Sequence, residues 1–93
     1  MSRIPLAGRR IWLTGASSGI GRACALEFAR RGARVAISAR NTSALESLAS
    51  EIRAMAPGSC AEEPVLVLPL DVRDRKANHD AVAEIVRCWG GID

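Results

Sequence analysis

One segment of the sequence combines three glycines with two serines and reads TGASSGIG at positions 14–21. It lies between a strand-like segment and a helix-like segment, where phosphates bind because the free N–H groups and the dipole of a helix N-terminus attract anions. Gly15 suits a tight turn out of the strand, Gly19 allows a pyrophosphate to approach the backbone, and Gly21 allows close packing of helix on strand. The hydroxyl groups of Ser17 and Ser18 add donors. The segment therefore predicts a pyrophosphate-binding turn.

The spacing of these glycines narrows the class of ligand. It is G-x-x-x-G-x-G, which differs from the G-x-G-x-x-G of the general dinucleotide fingerprint, and no Lys-Ser/Thr pair follows as a P-loop requires. Ile20, between the last two glycines, supplies a first-turn N–H to the same site. The spacing therefore excludes a P-loop, and a dinucleotide is the ligand that the resemblance of the whole string TGASSGIG to a known cofactor motif implies.

The residues after the second predicted strand bear on which dinucleotide binds. An acidic residue about 20 positions after the glycines accepts the ribose 2′-hydroxyl of NAD. Here that place falls on Ala39 or Arg40, and neither is a carboxylate. The guanidinium of Arg40 suits a 2′-phosphate, which favours NADP over NAD, and a solvated loop arginine is the alternative. Asn41 could donate a further hydrogen bond or could cap the next helix.

Four segments together resemble the main, shorter class of the short-chain dehydrogenase/reductase family. They are TGASSGIG at 14–21, Leu6-Ala7-Gly8-Arg9, Leu70-Asp71-Val72 and Trp89-Gly90-Gly91-Ile92-Asp93. The resemblance covers essentially the whole chain and implies that the Asp71 side chain and the Val72 N–H contact the adenine ring. One position departs from the pattern, since Ser18 stands where NADP-binding relatives often carry a second basic residue; Arg22 could assist.

The resemblance implies hydride transfer between NADP(H) and a carbonyl or alcohol substrate, in which a Tyr acts as general acid–base with a Lys, a Ser and an Asn. The sequence contains no Tyr, and its only Lys, Lys76, lies far from such a motif. His79 stands alone and is expected to be a surface helix residue. No catalytic residue and no metal site is therefore predicted.

Six elements alternate along the chain. Strands are predicted at Arg10–Thr14, Arg34–Ser38 and Val65–Leu70, and helices at Gly19–Arg31, from Ser43 to Pro57-Gly58, and from about Arg75 to Trp89. This order predicts an α/β fold, the N-terminal half of a Rossmann-like doubly wound parallel sheet with strand order 3-2-1. Pro69 fits that order, because proline is confined to edge strands and strand three lies at the edge.

Side-chain spacing indicates which helix faces are buried. On the first helix the apolar face is expected to contain Ile20, Cys24 and Phe28. The second helix carries the stripe Leu45, Leu48, Ala49, Ile52 and Met55, and the third carries Val82, Ile85, Val86 and Trp89. Ser43 and Glu46 fit a capping box at the start of the second helix.

Length and composition exclude several classes. The chain has 93 residues and a formal net charge of +3, spread along the sequence, so nucleic-acid binding is not expected. No signal peptide or membrane span is present, which predicts a cytoplasmic protein with no membrane partner. Cys24, Cys60 and Cys88 match no metal spacing and are expected to be reduced thiols that pack as small hydrophobes.

Residues 1–93 are expected to form a partial NAD(P)-binding domain, truncated at the start of strand four at Ile92-Asp93. We expect the chain alone to be catalytically inert and poorly folded, with Val35, Ile37, Val65 and Val67 left partly bare. An intact relative would take a dinucleotide and a small-molecule substrate and would be an oligomer. The alternatives are a non-catalytic nucleotide-binding module or an inactive truncated remnant.

Overall fold

The computed structural model describes residues 8–16, 19–55 and 64–93. Within them three strands alternate with three helices, in the order β1 (Arg10–Thr14), α1 (Gly19–Arg30), β2 (Arg34–Ser38), α2 (Thr42–Met55), β3 (Val65–Val67) and α3 (Arg75–Trp89). The boundaries of β1, β2 and α3 are those predicted from the sequence, and α1 ends one residue earlier.

The three strands form one parallel sheet in the order β1-β2-β3. Ile37 at the centre of the sheet lies beside Leu13 of β1 on one side and beside Val67 of β3 on the other. Each strand is followed by a helix that returns the chain to the same edge, as a parallel ladder requires. The predicted α/β fold, a Rossmann-like half with strand order 3-2-1, is confirmed.

One face of the sheet is covered by α1 and α2. The inward side chains of β2 and β3 on this face, Val35, Ile37 and Val65, are completely buried. They pack with Leu45, Leu48, Ala49 and Ile52 of α2, which are four of the five residues of the predicted stripe; the side chain of the fifth, Met55, lies outside the described residues. The expectation that Val35, Ile37 and Val65 would be left partly bare is therefore wrong, because α1 and α2 suffice to cover this face; Val67 is half-buried.

The opposite face is covered by α3. Ile85 and Trp89 of α3 pack on Ala36, with Trp12, Leu66 and Leu68 around them. Val86 is 46% exposed, so the prediction that it faces the sheet is wrong; Ala81 is buried instead. Helices therefore lie on both faces of the sheet, which is the doubly wound arrangement.

A buried serine links β1 to β2 on the α3 face. Ser38 is fully buried, and its hydroxyl oxygen accepts a hydrogen bond of 2.9 Å from the indole nitrogen of Trp12. A buried hydroxyl without a partner would be costly, and a buried indole N–H has the same requirement. One contact satisfies both groups.

The edge strand is shorter than predicted but its hydrogen bonds continue. Strand β3 ends at Val67, whereas the sequence predicts a strand to Leu70. The N–H groups of Leu68 and Leu70 still donate to the carbonyls of Ile37 and Ala39, both at 3.0 Å. Pro69 lies between them, at the position whose N–H would point away from β2, so the missing donor costs the sheet nothing.

Two turns depart from the expected local patterns. Helix α2 begins at Thr42, and its first turn is capped by Asn41, whose side-chain oxygen accepts the Ala44 N–H at 3.1 Å. The capping box on Ser43 is therefore wrong, because an N-cap residue lies outside the helix and Ser43 lies within it. In α1, Ile20 is 83% exposed, so it does not belong to the buried face.

Residues after α3 return to β1. Gly90 ends the helix with φ 84°, and Asp93 forms a double contact with Arg10: Nε to Oδ2 at 3.0 Å and Nη2 to Oδ1 at 3.1 Å. The backbone joins them too, because the Asp93 N–H donates to the Arg10 carbonyl at 2.7 Å and the Arg10 N–H donates to Oδ2 at 3.0 Å. The expected fourth strand is not formed as a strand at Ile92-Asp93, but the chain lies against β1 there.

The Asp93 contact predicts a pH dependence of stability. Hydrogen bonds from the Arg10 side chain and backbone lower the pKa of Asp93 from 3.8 to about 2. A carboxyl whose pKa is lowered in the folded state stabilises it above the unfolded pKa and loses this effect as the pH falls through the folded value. We expect Asp93→Asn to flatten the decline in unfolding midpoint between about pH 4 and pH 2, measured by urea titration at a series of pH values.

The control is Asp80→Asn, which alters an exposed carboxyl of α3 that makes no ion pair with a described residue. Its acid decline should match that of the unmodified protein. Equal slopes for the Asp93 variant and the unmodified protein would contradict the prediction.

A second prediction concerns Gly21. A Cβ at this position would lie 2.1 Å from the carbonyl oxygen of Gly15 and 2.9 Å from its carbonyl carbon. Backbone atoms cannot move aside cheaply, so Gly21→Ala should cost at least the ~1–3 kcal/mol typical of overpacking, despite the better helix propensity of Ala. Chemical denaturation measures the loss. Ala23→Ser, at an exposed site in the same helix, should change stability by less than about 0.5 kcal/mol; similar losses in both variants would count against the close contact.

Candidate functional site

Three loops meet at the carboxyl edge of the sheet. They follow β1, β2 and β3, and because the strands are parallel all three begin at the same edge. Between them lies a cavity of about 550 Å³, lined by Gly15, Ala39, Arg40, Asn41, Leu70, Asp71, Val72 and Arg73. Five residues that the sequence singled out are thereby brought together: Gly15, Arg40, Asn41, Asp71 and Val72.

The glycine turn has the backbone geometry that only glycine adopts freely. Gly15 has φ 67° and Gly19 has φ 59°. A side chain at Gly19 would meet nothing within 4 Å, whereas one at Gly21 would collide with the Gly15 carbonyl. Open space therefore lies beside Gly19, and α1 is held tightly against the turn at Gly21. Ser17 and Ser18, predicted as donors to the same ligand, lie outside the described residues.

Helix α1 offers backbone donors at this turn that have no acceptor within the helix. It begins at Gly19, so the backbone N–H groups of Gly19, Ile20 and Gly21 belong to its first turn and have no acceptor within the helix. The Ala16 N–H donates to the Ser38 carbonyl at 3.2 Å and ties the turn to the end of β2. An anion placed at the start of α1 would meet these N–H groups and the positive end of the helix dipole.

The loop after β2 carries Arg40, a positively charged residue at the cavity. Ala39 is buried, Arg40 is exposed, and Arg40 makes no hydrogen bond or ion pair with another described residue. The Asn41 side-chain oxygen caps α2, and the Asn41 carbonyl accepts the Leu45 N–H at 3.1 Å. Of the two roles left open for Asn41, capping is the one that this geometry forms.

Arg22 is directed elsewhere. Its guanidinium forms an ion pair with Glu51 of α2. It therefore links α1 to α2, and the expectation that it could assist at a phosphate finds no support in this arrangement.

The loop after β3 holds a carboxylate in a compact ion pair. Asp71 accepts from the Arg73 side chain at 2.8 Å (Nη2 to Oδ2) and 3.1 Å (Nε to Oδ1), and from the Arg73 backbone N–H at 2.9 Å. These hydrogen bonds, with a smaller contribution from the charge of Arg40, lower the pKa of Asp71 from 3.8 to about 2. Asp71 is therefore an anion at any physiological pH, and its negative charge interacts with the positive charge of Arg40.

Two further residues fix the shape of this loop. The Val72 carbonyl accepts a 2.7 Å hydrogen bond from the side-chain nitrogen of Asn78, and the N–H of the same peptide unit, on Arg73, donates to Asp71. Asp74 then caps α3 by accepting the Ala77 N–H at 3.1 Å. The Val72–Arg73 peptide is thus held at both ends, and the Val72 side chain is half exposed beside the cavity.

Arg73 and Asn78 are parts of this site that were not predicted from the sequence. Arg73 follows the Asp71-Val72 pair directly, and an arginine two positions after a carboxylate in a turn was the available signal. Asn78 carried no such signal, because its contact with Val72 depends on how α3 begins.

The remaining predicted features are distributed over the surface. Lys76 and His79 are exposed on α3. Cys24 is half-buried and Cys88 is exposed, both as free thiols, so the prediction that Cys88 packs as a small hydrophobe is wrong; Cys60 lies outside the described residues.

In the parts of the chain that the structure describes, no group of His, Cys, Asp or Glu could hold a metal ion. No helix in those parts is long and apolar enough to cross a membrane.

Comparison with known proteins assigns the chain to a family. The profile of the family described as short chain dehydrogenase matches residues 9–93. Dehydrogenase/reductase SDR family member 7B of Bos taurus is 43% identical over 82 residues, which is 87% of this chain and 25% of that protein. Sorbitol dehydrogenase of Cereibacter sphaeroides is 41% identical over 88 residues, or 95% of this chain and 31% of that protein.

Solved structures agree with the sequence comparisons. A short-chain type dehydrogenase/reductase from Mycobacterium marinum superimposes with a TM-score of 0.82 at 35% identity, over 95% of this chain and 33% of that one. Glucose dehydrogenase of Caenorhabditis elegans, in its apo form, gives 0.84 at 31% identity, over 97% of this chain and 37% of that one.

The chain spans about a quarter to a third of the length of these relatives, whose names describe oxidoreductases. With a profile match over residues 9–93 and the parallel sheet, glycine turn and cavity described above, the chain belongs to the short-chain dehydrogenase/reductase family.

Proposed function

We propose that this chain is the NADP-binding portion of a short-chain dehydrogenase/reductase. The observation that carries the proposal is the cavity at the carboxyl edge of the sheet, where Gly15 of the glycine turn, Arg40 and the Asp71 loop meet; Gly19, Ile20 and Gly21 are not among its lining residues. Ligands of open α/β sheets bind in crevices at this edge. The 550 Å³ volume is within the range of small-molecule and cofactor sites.

The residues present fit a dinucleotide. The open space beside Gly19 and the first-turn N–H groups of α1, which have no acceptor within the helix, suit a pyrophosphate. The loop after β3 then suits the adenine, with the Asp71 carboxylate and the Val72 N–H as its polar contacts, as the family resemblance implies. Asn78 contributes by holding the Val72–Arg73 peptide in place.

The end of β2 supports NADP over NAD. Ser38 is buried and bonded to Trp12, and the next two residues are Ala39 and Arg40, so no carboxylate stands where NAD would need an acceptor. Arg40 is exposed at the cavity without a competing partner among the described residues. Its planar guanidinium can donate two parallel hydrogen bonds to a phosphate.

In the whole protein, the nicotinamide of the bound cofactor would exchange hydride with a carbonyl or alcohol substrate. The residues of this chain would bind and orient the adenosine and pyrophosphate parts. The sequence holds no Tyr, so it offers no counterpart of the family's general acid–base residue. We therefore propose that these 93 residues alone do not turn over substrate.

The phosphate cradle is tested by Gly19→Val. A β-branched side chain disfavours φ 59° and would occupy the space left for the pyrophosphate. Loss of one charged hydrogen bond costs ~1.5–3 kcal/mol, so NADPH affinity should fall at least about ten- to a hundredfold. Fluorescence titration with NADPH measures it.

The matched control is Gly8→Val. Gly8 also has a positive φ, 79°, and open space at its Cβ, but it lies before β1, where its N–H donates to the Gly32 carbonyl, and not at the start of α1. Its variant should carry a similar backbone penalty and retain NADPH affinity. Equal binding by the Gly19 variant and the unmodified protein would remove the phosphate assignment.

The NADP preference is tested by Arg40→Ala. A charged pair with the 2′-phosphate predicts about ten- to a hundredfold weaker NADPH binding with NADH nearly unchanged. Adding Ala39→Asp should turn the preference toward NADH, because a carboxylate repels the phosphate and accepts a 2′-hydroxyl. Parallel titrations of both cofactors give the ratio.

Arg75→Ala removes the same charge from an exposed position at the start of α3, outside the cavity, and serves as the control for net charge. If Arg40→Ala lowers the affinities for NADPH and NADH equally, the role of Arg40 is structural and the NADP assignment is wrong.

A further inference from the structure

The cavity contains a charge of the wrong sign for a phosphate dianion. Asp71 lines it together with Arg40, and the charge of Arg40 contributes to lowering the pKa of Asp71, so the two groups interact. A lone carboxylate here would repel a 2′-phosphate. It would also offer Arg40 an anion within the protein, in competition with the ligand.

Arg73 removes both difficulties. Its guanidinium pairs with Asp71 through Nη2 and Nε, at 2.8 and 3.1 Å, and its own N–H donates to the same carboxylate at 2.9 Å. Asp71 is therefore satisfied by its neighbour two residues away and does not need Arg40. Arg40 remains without a hydrogen bond to any described residue.

The pair is built into the loop. Asn78 and Asp71 hold the Val72–Arg73 peptide at its two ends, and the Asp74 N–H donates to the Asp71 carbonyl at 2.9 Å. Isolated surface ion pairs contribute little because two long side chains must be ordered, but here the shared turn has already ordered the backbone between the partners. Arg73 is therefore positioned by the fold at the cavity wall.

We propose that Arg73 is a specificity-determining residue: by neutralising Asp71 it keeps Arg40 available for the cofactor's 2′-phosphate. This inference rests on the proposed NADP-binding function. Arg73 acts through Asp71 and is therefore a positioning residue. The inference requires no direct contact between Arg73 and the phosphate.

The experiment uses two adenosine ligands that differ only in the 2′-phosphate, adenosine 2′,5′-bisphosphate and adenosine 5′-monophosphate. Calorimetric titration of the 93-residue chain with each gives an affinity ratio. Any general loss of adenine binding or of folded protein affects both ligands and cancels in that ratio. The variants are Arg73→Ala, Asp71→Asn, the double variant of these two, Arg40→Ala, and Arg75→Ala as the charge control.

The unmodified chain should favour the bisphosphate by at least about tenfold. Arg73→Ala should reduce the ratio about three- to tenfold, because an unpaired carboxylate then faces the phosphate and attracts Arg40. Asp71→Asn introduced with Arg73→Ala should restore the ratio, since no charge is left to neutralise. The reduction should shrink at high salt, and Arg75→Ala should leave the ratio unchanged.

Other results overturn the inference. An unchanged ratio in Arg73→Ala shows that the pair has no influence on the phosphate. A ratio that falls in Arg73→Ala and is not restored by Asp71→Asn shows that Arg73 contacts the phosphate itself. If Arg40→Ala abolishes the preference while Arg73→Ala does not, the NADP proposal survives alone. A ratio near one in the unmodified chain removes the NADP preference and this inference together.

Discussion

The close approach of Gly21 to the carbonyl of Gly15 is the contact on which the site depends. Without a Cβ at Gly21, the first turn of α1 lies directly against the turn that leaves β1. This contact fixes where α1 starts, and therefore where its first-turn N–H groups and its dipole point. It also brings Ala25 of α1 into the buried cluster with Val35 and Ile37, so the same contact sets one face of the core.

The strand pattern predicted most of the fold. Strands β1 and β2 and helix α3 have the expected bounds, because alternating apolar runs and helical spacing are local properties of the sequence. The errors concern tertiary context. Val86 lies on the predicted apolar face of α3 but is 46% exposed, and Ile20 lies on the predicted apolar face of α1 but is 83% exposed. Helical spacing alone does not show which positions the neighbouring elements cover.

The part of the site that was predicted also follows from local properties of the sequence. The glycine turn and Arg40 follow from residue type and from the rule that parallel strands deliver their loops to one edge. The role of Asn41 stayed open because an amide serves equally well as cap or donor, and only the position of Thr42 at the helix start decides its geometry. Arg73 was missed because its significance lies in a pairing, which a list of residue types does not reveal.

The hydrogen bonds around β1 also show what lies along the edge of β1 opposite β2. In a strand, successive carbonyls point in opposite directions. The Arg9 carbonyl accepts from Arg34 at 2.8 Å, toward β2, so the Arg10 carbonyl points away from β2. It is this carbonyl that accepts the Asp93 N–H, and the Arg10 guanidinium holds the Asp93 carboxylate.

The segment after α3 is therefore guided to the edge of β1 opposite β2. In a doubly wound sheet the strand order reverses between β1 and the strand on its other side. Ligands bind in the crevice at the carboxyl ends of the two strands that flank this reversal. The glycine turn lies at that end of β1. The Arg10–Asp93 contact lies at the amino end of β1, and the glycine turn, after which α1 begins, lies at its carboxyl end. The edge at which the strand order would reverse therefore runs between these two features.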